Sequence, residues 1–520
     1  MRRSASPPTP LGAAREAPAG VGYRVPVIMG GVGPAGLSDA IGVPRPGDIG
    51  ADVPGVRPHF RGPYADGPPA RDLDVETPPI DRFGFAELRR MIVVYVLLVT
   101  RITAAVVGWL LDRRGRGIWL AASHGAVDAF EQLGPTYVKL GQIIASSPGL
   151  FPAPLAAAAQ RCLDEVPPFE GPTARDMIRR DLGRQPSAIF TRFDDVPLSA
   201  ASIGQVHACI LPDGRHAVIK LQRPNIRRRM TTDLRIMYRL AKTLERHVTF
   251  ARNANTVALV EDLHAVTFNE LNPALEAWHQ DRFRQKIGAF GDNRWVTAPE
   301  VYWEYCGPHM ICMERMSGIP MDEFDAIRQL GVDGELVLRR GAKTWIEAVI
   351  VHGPFHGDMH AGNLWVLDDG RSSYLDFGIM GELPDEYKQL IKDLFYTFMI
   401  DQDFSRVARA YKRLGIIDEG SGTDEEVGAR IQFVIAPMLG TTSAMSLGDF
   451  IMSSLDMMKQ YGMTAPRQLV LFSKQMLYME RYIKGLAPDW QIATDLFLVK
   501  NIFPEEAARK AAEIGMTFPD

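Results

Sequence analysis

The sequence predicts an α+β chain of two lobes, with a helical N-terminal extension and a mostly helical C-terminal lobe. Three observations predict it. Val196 to Leu211 and Arg215 to Gln222 are strand-like runs joined through Asp213-Gly214, a hairpin signal. A second ribbon sets Trp365-Val366-Leu367 against Ser373-Tyr374-Leu375 across Asp369-Gly370. The stretches 85–195, 225–290, 333–353 and 385–520 read as helices, with Leu263, Val266, Thr267 and Leu271 marking one face.

Composition sets outer limits. A chain of 520 residues holds two or three domains and a large core. Hydrophobic content of 46% and charged content of 23% are ordinary for a globular protein, and a net charge of −4 leaves no footprint for nucleic acid. The four cysteines, Cys162, Cys209, Cys306 and Cys312, show no CxxC spacing, so they read as buried thiols in a reducing compartment. Met1-Arg-Arg-Ser-Ala-Ser-Pro-Pro lacks the apolar run of a signal peptide, and the expected location is cytoplasmic.

Residues 1–84, rich in Pro, Gly and Ala, read as a disordered tail. Gly31-Val-Gly-Pro-Ala-Gly36 fits GxGxxG, but Pro34 denies it the helix a dinucleotide site requires. Residues 85–195 form the helical extension. Met91 to Leu111 has the length and apolarity of a bilayer span. Arg101 at its centre costs about 2.5–3.5 kcal/mol on insertion scales, which favours a buried helix or one lying at a membrane surface. In the helix around Thr136 to Ala145, Lys139 and Gln142 share one face.

Residues 196–316 read as the β-rich lobe. Ser199-Ala200-Ala201-Ser202 is a small-residue turn beside the strand that carries Lys220. Alanines let the backbone approach a phosphate but restrict φ > 0, so amide cradling here differs from that of a glycine-rich loop. Asn272 is expected to cap a helix opened by Pro273, which turns Glu276 inward as a partner for Lys220. Trp295–Glu304 and His309–Met316 read as paired strands that end in a hinge. Backbone groups from Glu314 to Met316 there are candidates for binding adenine. Residues 317–520 make the C-terminal lobe.

The chemistry concentrates in His356-Gly-Asp-Met-His-Ala-Gly-Asn363 and Asp376-Phe-Gly378. Asp358 and Asn363 lie five apart on a loop, and the hairpin returns Asp376 to the same end of the ribbon. One carboxylate near an attacking hydroxyl, with a carboxylate and an amide oxygen on Mg²⁺, is the set a kinase-type site needs. Asp-Phe-Gly alone says little; at this distance from His-Gly-Asp-x-His-x-x-Asn it is specific. The exit from Ile379 to Pro384 is short and lacks an Ala-Pro-Glu anchor, which leaves little loop to hold a peptide.

Together these blocks resemble the UbiB/ADCK-type (AarF-like) atypical kinases over roughly Leu133 to Phe404. Lys139-Leu-Gly-Gln142 matches the KxGQ motif, Ala200 to His207 the alanine-rich loop, and Ala217-Val-Ile-Lys220 with Gln222-Arg-Pro224 the lysine strand. The two acid motifs match the catalytic and metal loops. The resemblance implies a bilobal protein-kinase-like fold with ATP and Mg²⁺ as cofactors. It implies that Lys220 contacts the nucleotide phosphates, that Asp358 stands at the catalytic aspartate position, and that Asn363 and Asp376 bind Mg²⁺. Lys139 and Gln142 would lie over the active site and occlude a protein substrate, with Glu270 of the ExD motif as partner of Lys139.

Two positions depart from the family. Asn272 replaces the ExD aspartate, which removes a carboxylate near the metal and bears on the Lys139 contact. Gly357 stands where many members have alanine, a change expected to be harmless. The resemblance further implies an ATPase serving isoprenoid lipid or quinone metabolism, with peripheral membrane contact. A small-molecule phosphotransferase of the aminoglycoside or choline type also uses the acid motifs, but lacks KxGQ. A non-catalytic nucleotide- and lipid-binding scaffold is the third reading, which Asn272 favours.

Overall fold

The computed structural model describes residues 60–520 except 113–116, 147–150, 164–166, 249–251, 253–254, 290–291, 440–466, 491, 493–494 and 516–520. The GxGxxG stretch at 31–36 lies outside the described residues. Residues 60–84, expected to belong to a disordered tail, instead pack as a strap. The Gly62 amide donates to the Glu304 carbonyl at 2.9 Å, Tyr64 is buried with its hydroxyl 2.8 Å from Asp72, and Arg235 reaches the Pro79 carbonyl at 3.0 Å. A segment without periodicity is ordered when other elements supply its backbone partners.

Helices α1 (Phe85–Asp112), α2 (Ile118–Leu133) and α3 (Pro135–Ser146) form the extension. α1 crosses α2 at Gly125, where a Cβ would fall 2.7 Å from the Arg101 carbonyl oxygen and the Ile102 Cα. Three charged residues of α1 are tied down: Arg90 to Asp233 at 2.8 Å, Arg101 to Gln132 at 2.8 Å and Glu87 to Arg235 at 3.0 Å. The expectation of a buried helix is not met. Only 6% of its most apolar window is buried, and Ile92, Val96, Val99 and Leu110 stay exposed, because packing covers one side. Among the described residues α1 is the one helix long and apolar enough to cross a membrane.

Strands β1 (Arg192–Phe193), β2 (Ser199–Ala200), β3 (Gly204–Ile210) and β4 (His216–Gln222) follow, then helices α4 (Ile226–His247), α5 (Thr256–Glu270) and α6 (Pro273–Ala289). Strands β5 (Val296–Thr297), β6 (Met310–Glu314) and β7 (Gly318–Pro320) come next. The first sheet is antiparallel in the order β1-β3-β4-β6, with β2 on β3. Asp213-Gly214 makes the β3–β4 turn, with Gly214 at φ +88° and Ile210 opposite His216. Lys220 lies between Val206 and Ile311. The expected pairing of Trp295–Glu304 with His309–Met316 forms only beyond Pro299, where the Tyr302 amide meets the Cys312 carbonyl at 2.9 Å. β5 leaves for the other lobe, where Val296 pairs in parallel with Ser372; Pro299 has no amide with which to continue a ladder.

The C-terminal lobe begins with α7 (Gly334–Glu347), whose first turn is capped by the Asp333 carboxylate. Strands β8 (Phe355–His356), β9 (Leu364–Leu367), β10 (Ser372–Tyr374) and β11 (Met380–Gly381) carry the acid motifs between them. The sheet order is β5-β10-β9-β7, and β8 pairs separately with β11. The Asp369-Gly370 turn forms with Gly370 at φ +81° and Val366 opposite Ser372. Helices α8 (Asp385–Tyr396), α9 (Phe404–Arg413), α10 (Asp424–Leu439) and α11 (Arg467–Leu486) follow, and two shorter helices, Leu496–Ile502 and Pro504–Ile514, come after them. The core of the lobe gathers Trp345, Phe355, Tyr374, Phe377 and Tyr482.

The Gly125 crossing sets a test. In Gly125→Val the new side chain meets backbone, which cannot rotate away, and overpacking of this kind costs about 1–3 kcal/mol. The urea midpoint of the full chain should fall; an unchanged midpoint would refute the tight crossing.

Candidate active site

Lys220 joins the lobes. Its Nζ lies 2.6 Å from Glu276 Oε1 and 2.8 Å from Asp376 Oδ2. The sequence places both partners for local reasons. Asn272 caps α6 through the Leu275 amide at 3.1 Å, Pro273 opens the helix, and Glu276 points back from the first turn toward β4. Asp376 follows β10, and its Oδ1 accepts the Gly378 amide at 2.9 Å.

Burial raises the Glu276 carboxyl to about 7, against the pull of Lys220. Partial desolvation in the cleft pushes the Asp376 carboxyl the same way, but Lys220 and the Gly378 amide outweigh it and hold it well below the usual range. Burial lowers Lys220, yet Asp376 and Glu276 keep it above the ordinary lysine range. The lysine and Asp376 are therefore charged at neutral pH.

His356 ties the two acid motifs together. Its Nδ1 accepts the Asp358 amide at 3.2 Å, so Nε2 carries the proton and donates to the Asp376 carbonyl at 2.5 Å. Burial lowers its pKa, which keeps the ring neutral; it stacks on Tyr374 at 4.8 Å. Asn363 Nδ2 donates to the Asp358 carbonyl at 3.1 Å, leaving the amide oxygen as an acceptor. That oxygen and Asp376, whose side chain keeps 42% exposure, are hard donors suited to Mg²⁺. Among the described residues no cluster of three or more His, Cys, Asp or Glu forms a protein-only cage. Mg²⁺ takes one or two carboxylates together with substrate phosphates, so this donor set fits the ion in company with a polyphosphate.

Other expected residues divide. Lys139 forms an ion pair with Glu270, and both side chains are 13% exposed. The Glu270 Cγ sits 3.5 Å from where a Cβ on Gly378 would stand, so the pair borders the Asp-Phe-Gly turn. Gln142 is different: its Nε2 donates to the Cys162 carbonyl at 3.0 Å, which ties α3 to the segment that follows it. The glycine between them is structural, since a Cβ at Gly141 would overlap the Cys162 sulfur.

The alanine-rich loop is a tight turn. Ala200 pairs with Gln205, the Ala201 amide donates to the Gly204 carbonyl at 2.8 Å, and Arg223 holds the Ala201 carbonyl at 2.9 Å. None of Ala200, Ala201 and Ser202 has positive φ. The Ala201 amide is thus spent inside the loop, and Ser202 is left at its tip. At the hinge, the Glu314 amide donates to the Glu300 carbonyl at 2.8 Å while its carboxylate takes Arg284 at 3.2 Å. Glu314 is therefore committed to structure. The Met316 amide donates to no acceptor among the described residues.

Asn272 does more than replace a carboxylate. While Oδ1 caps α6, its Nδ2 donates to the Asp72 carbonyl in the strap at 2.9 Å. An aspartate would keep the cap and set an oxygen against that carbonyl. The Lys139–Glu270 contact survives this departure.

Helix α11 supplies the contacts sequence reasoning missed. Gln475 is fully buried; its Oε1 accepts the Met359 amide at 2.7 Å and its Nε2 donates to the Gly357 carbonyl at 2.6 Å. The Tyr482 hydroxyl donates to the Met359 carbonyl at 2.6 Å, and Lys474 Nζ lies 3.0 Å from Asp358 Oδ1. Gly357 is not a neutral choice: a Cβ there would lie 2.6 Å from Leu471 Cδ2, so alanine requires Leu471 to move. Leu471, Gln475, Tyr478 and Tyr482 fall on one helix face, which is the signal in the sequence.

Glu276 gives a pH test. A carboxyl raised from 4.5 to about 7 by folding contributes stability that is full below about pH 4.5 and is lost as pH rises to about 7. Glu276→Gln lacks this titration. Its urea midpoint relative to the parent chain should climb between those pH values; a constant difference would contradict the raised carboxyl.

The comparisons with known proteins agree with this geometry. A family model described as the ABC1 atypical kinase-like domain matches residues 161–411, and the UbiB helical domain matches residues 431–491. An uncharacterized protein of Mycobacterium tuberculosis is 36% identical over 374 residues, 70% of this chain and 75% of that one. The "Probable protein kinase UbiB" of Aeromonas salmonicida is 33% identical over 392 residues, 74% of this chain and 70% of its own. An aarF domain-containing protein kinase of Arabidopsis thaliana chloroplasts is 31% identical, over 70% of this chain and 72% of its own. This chain belongs to the ABC1/UbiB family of atypical kinase-like proteins, with the α+β kinase-like domain followed by the family's helical domain.

Proposed function

We propose that this protein binds Mg²⁺-ATP and transfers or hydrolyses its terminal phosphate in the service of isoprenoid lipid or quinone metabolism. The observation that carries the proposal is the junction of Lys220 with Glu276 and Asp376, one loop away from Asp358 and Asn363. In this reading Lys220 orients the nucleotide phosphates. Asp376 and Asn363 hold Mg²⁺, which neutralises phosphate charge when bound. Asp358 takes the proton of the attacking hydroxyl or water.

A small or lipid-borne acceptor is favoured over a protein. The segment after Asp-Phe-Gly is pinned, with Met380 opposite His356 and the Gly357 amide on the Ile379 carbonyl at 3.0 Å. No long loop is available there to hold a peptide. The bare apolar face of α1 supports a protein that rests on a membrane surface.

Two experiments test this reading. Asp376→Asn should weaken Mg²⁺-dependent ATP binding at least about ten-fold. Asp358→Asn should retain binding and lose roughly 100-fold or more in turnover, the usual weight of a general base. Unchanged affinity in both Asp376→Asn and Lys220→Ala would reject the ATP site. In the second experiment, Val96→Glu with Leu110→Glu places charges on the exposed face of α1. The doubly substituted chain should no longer float with anionic liposomes; equal flotation would remove the membrane from the proposal.

A further inference from the structure

The cleft holds a cation that the motifs do not include. Lys474, on α11 of the helical domain, places its Nζ 3.0 Å from Asp358 Oδ1. The helix is not loosely laid there. Gln475 grips the backbone on both sides of Asp358, at Gly357 and Met359, and Tyr482 takes the Met359 carbonyl. The position of Lys474 relative to Asp358 is thus set by three hydrogen bonds between α11 and one loop.

Each of these cleft carboxylates meets an ammonium, two of them sharing one. Lys220 serves Glu276 and Asp376, Lys139 serves Glu270, and Lys474 serves Asp358. The three lysine side chains differ in freedom. Lys220 is 16% exposed, Lys139 13% and Lys474 45%. An ammonium has three N–H donors, and only one of those on Lys474 is used by Asp358. Asp358 marks where an attacking hydroxyl gives up its proton, so the phosphorus under attack stands next to it. If Asp358 takes that proton, a cation 3.0 Å from it with open donors would stand beside that phosphorus.

We propose that Lys474 is the contact for the terminal phosphate of bound ATP, delivered to the kinase-like domain by the C-terminal helical domain. The inference rests on the ATP-site reading above and deepens it. In the free protein Lys474 neutralises Asp358. With nucleotide present, its open donors meet the γ-phosphate oxygens. In the step itself the acceptor oxygen forms a bond to the γ-phosphorus as the bond from that phosphorus to the β,γ-bridging oxygen breaks. The electron pair leaves with ADP and the acceptor proton goes to Asp358. Water as acceptor yields ADP and inorganic phosphate. Lys474 offsets the charge on the equatorial oxygens throughout. The helical domain is then part of the phosphate site and not an appendage to it.

The test uses the full chain and two probes, Mg²⁺-ATP and Mg²⁺-ADP, titrated calorimetrically. In the parent protein ATP should bind more tightly than ADP. Lys474→Met should weaken ATP by about ten-fold or more, the weight of a charged hydrogen-bonded contact, and leave ADP within about two-fold. Unchanged ADP affinity also shows that the variant is folded. Lys474→Arg should keep the preference for ATP. Equal effects on the two nucleotides, or none, would overturn the proposal. The same substitution in an Asp358→Asn background separates contact from screening. A loss of ATP preference that persists there supports direct contact, and a loss that vanishes there shows that Lys474 only masks Asp358 and overturns it. If the parent protein binds neither nucleotide, the ATP site itself falls and this inference with it.

Discussion

The contact among Lys220, Glu276 and Asp376 is the constraint on which the rest of the structure depends. It draws one residue from the sheet of the β-rich lobe, one from a helix and one from the acid motif of the other lobe. Two carboxylates this close repel unless a cation stands between them, and a lysine this buried needs both. Glu276 is 3% exposed, so loss of its partner leaves a charge or a raised proton in the interior. Such a group is poor evidence of stability by itself, because desolvation cancels much of the attraction. Its value is positional: it fixes the register of the two lobes at the point where a metal and phosphates would meet.

Around that point the chain spends neutral hydrogen bonds on geometry. His356 links the Asp358 amide to the Asp376 carbonyl as an uncharged bridge. Gln475 and Tyr482 do the same from the helical domain. These groups are buried and satisfied, which is the condition under which polar contacts rigidify a core. The carboxylates are left to charge chemistry. The glycines Gly141, Gly357 and Gly125 serve the same end by close approach, each where a Cβ would strike another segment of the fold. The glycine of the KxGQ motif thus has a packing role, while the lysine pairs with Glu270 beside the Asp-Phe-Gly turn.

Asn272 shows how a departure from a family pattern acquires a local reason. Read as a missing carboxylate, it favours a protein that has lost its catalysis. In the structure its two polar atoms cap α6 and hold the strap at Asp72. The strap came from residues whose composition suggested disorder, so neither half of that contact was visible alone.

By itself, the sequence determined what depends on neighbours a few residues apart. The two hairpins, the Asn272-Pro273 helix start, the spacing of Asp358 and Asn363 and the surface-scale apolarity of α1 all follow from local backbone preference and periodicity. The pairing of Lys220 with Glu276 was also legible, because the strand and the helix cap each fix a direction. The tertiary structure alone decided what depends on elements distant in the chain. Examples are the departure of β5 to the second sheet, the turning of Gln142 toward Cys162, the commitment of Glu314 to Arg284, and the seat of Lys474 beside Asp358. Lys474 is 116 residues from Asp358 and lies on an ordinary amphipathic helix. No periodicity names the loop that such a helix will cover, since helix faces are chosen by burial against whatever surface the rest of the fold presents.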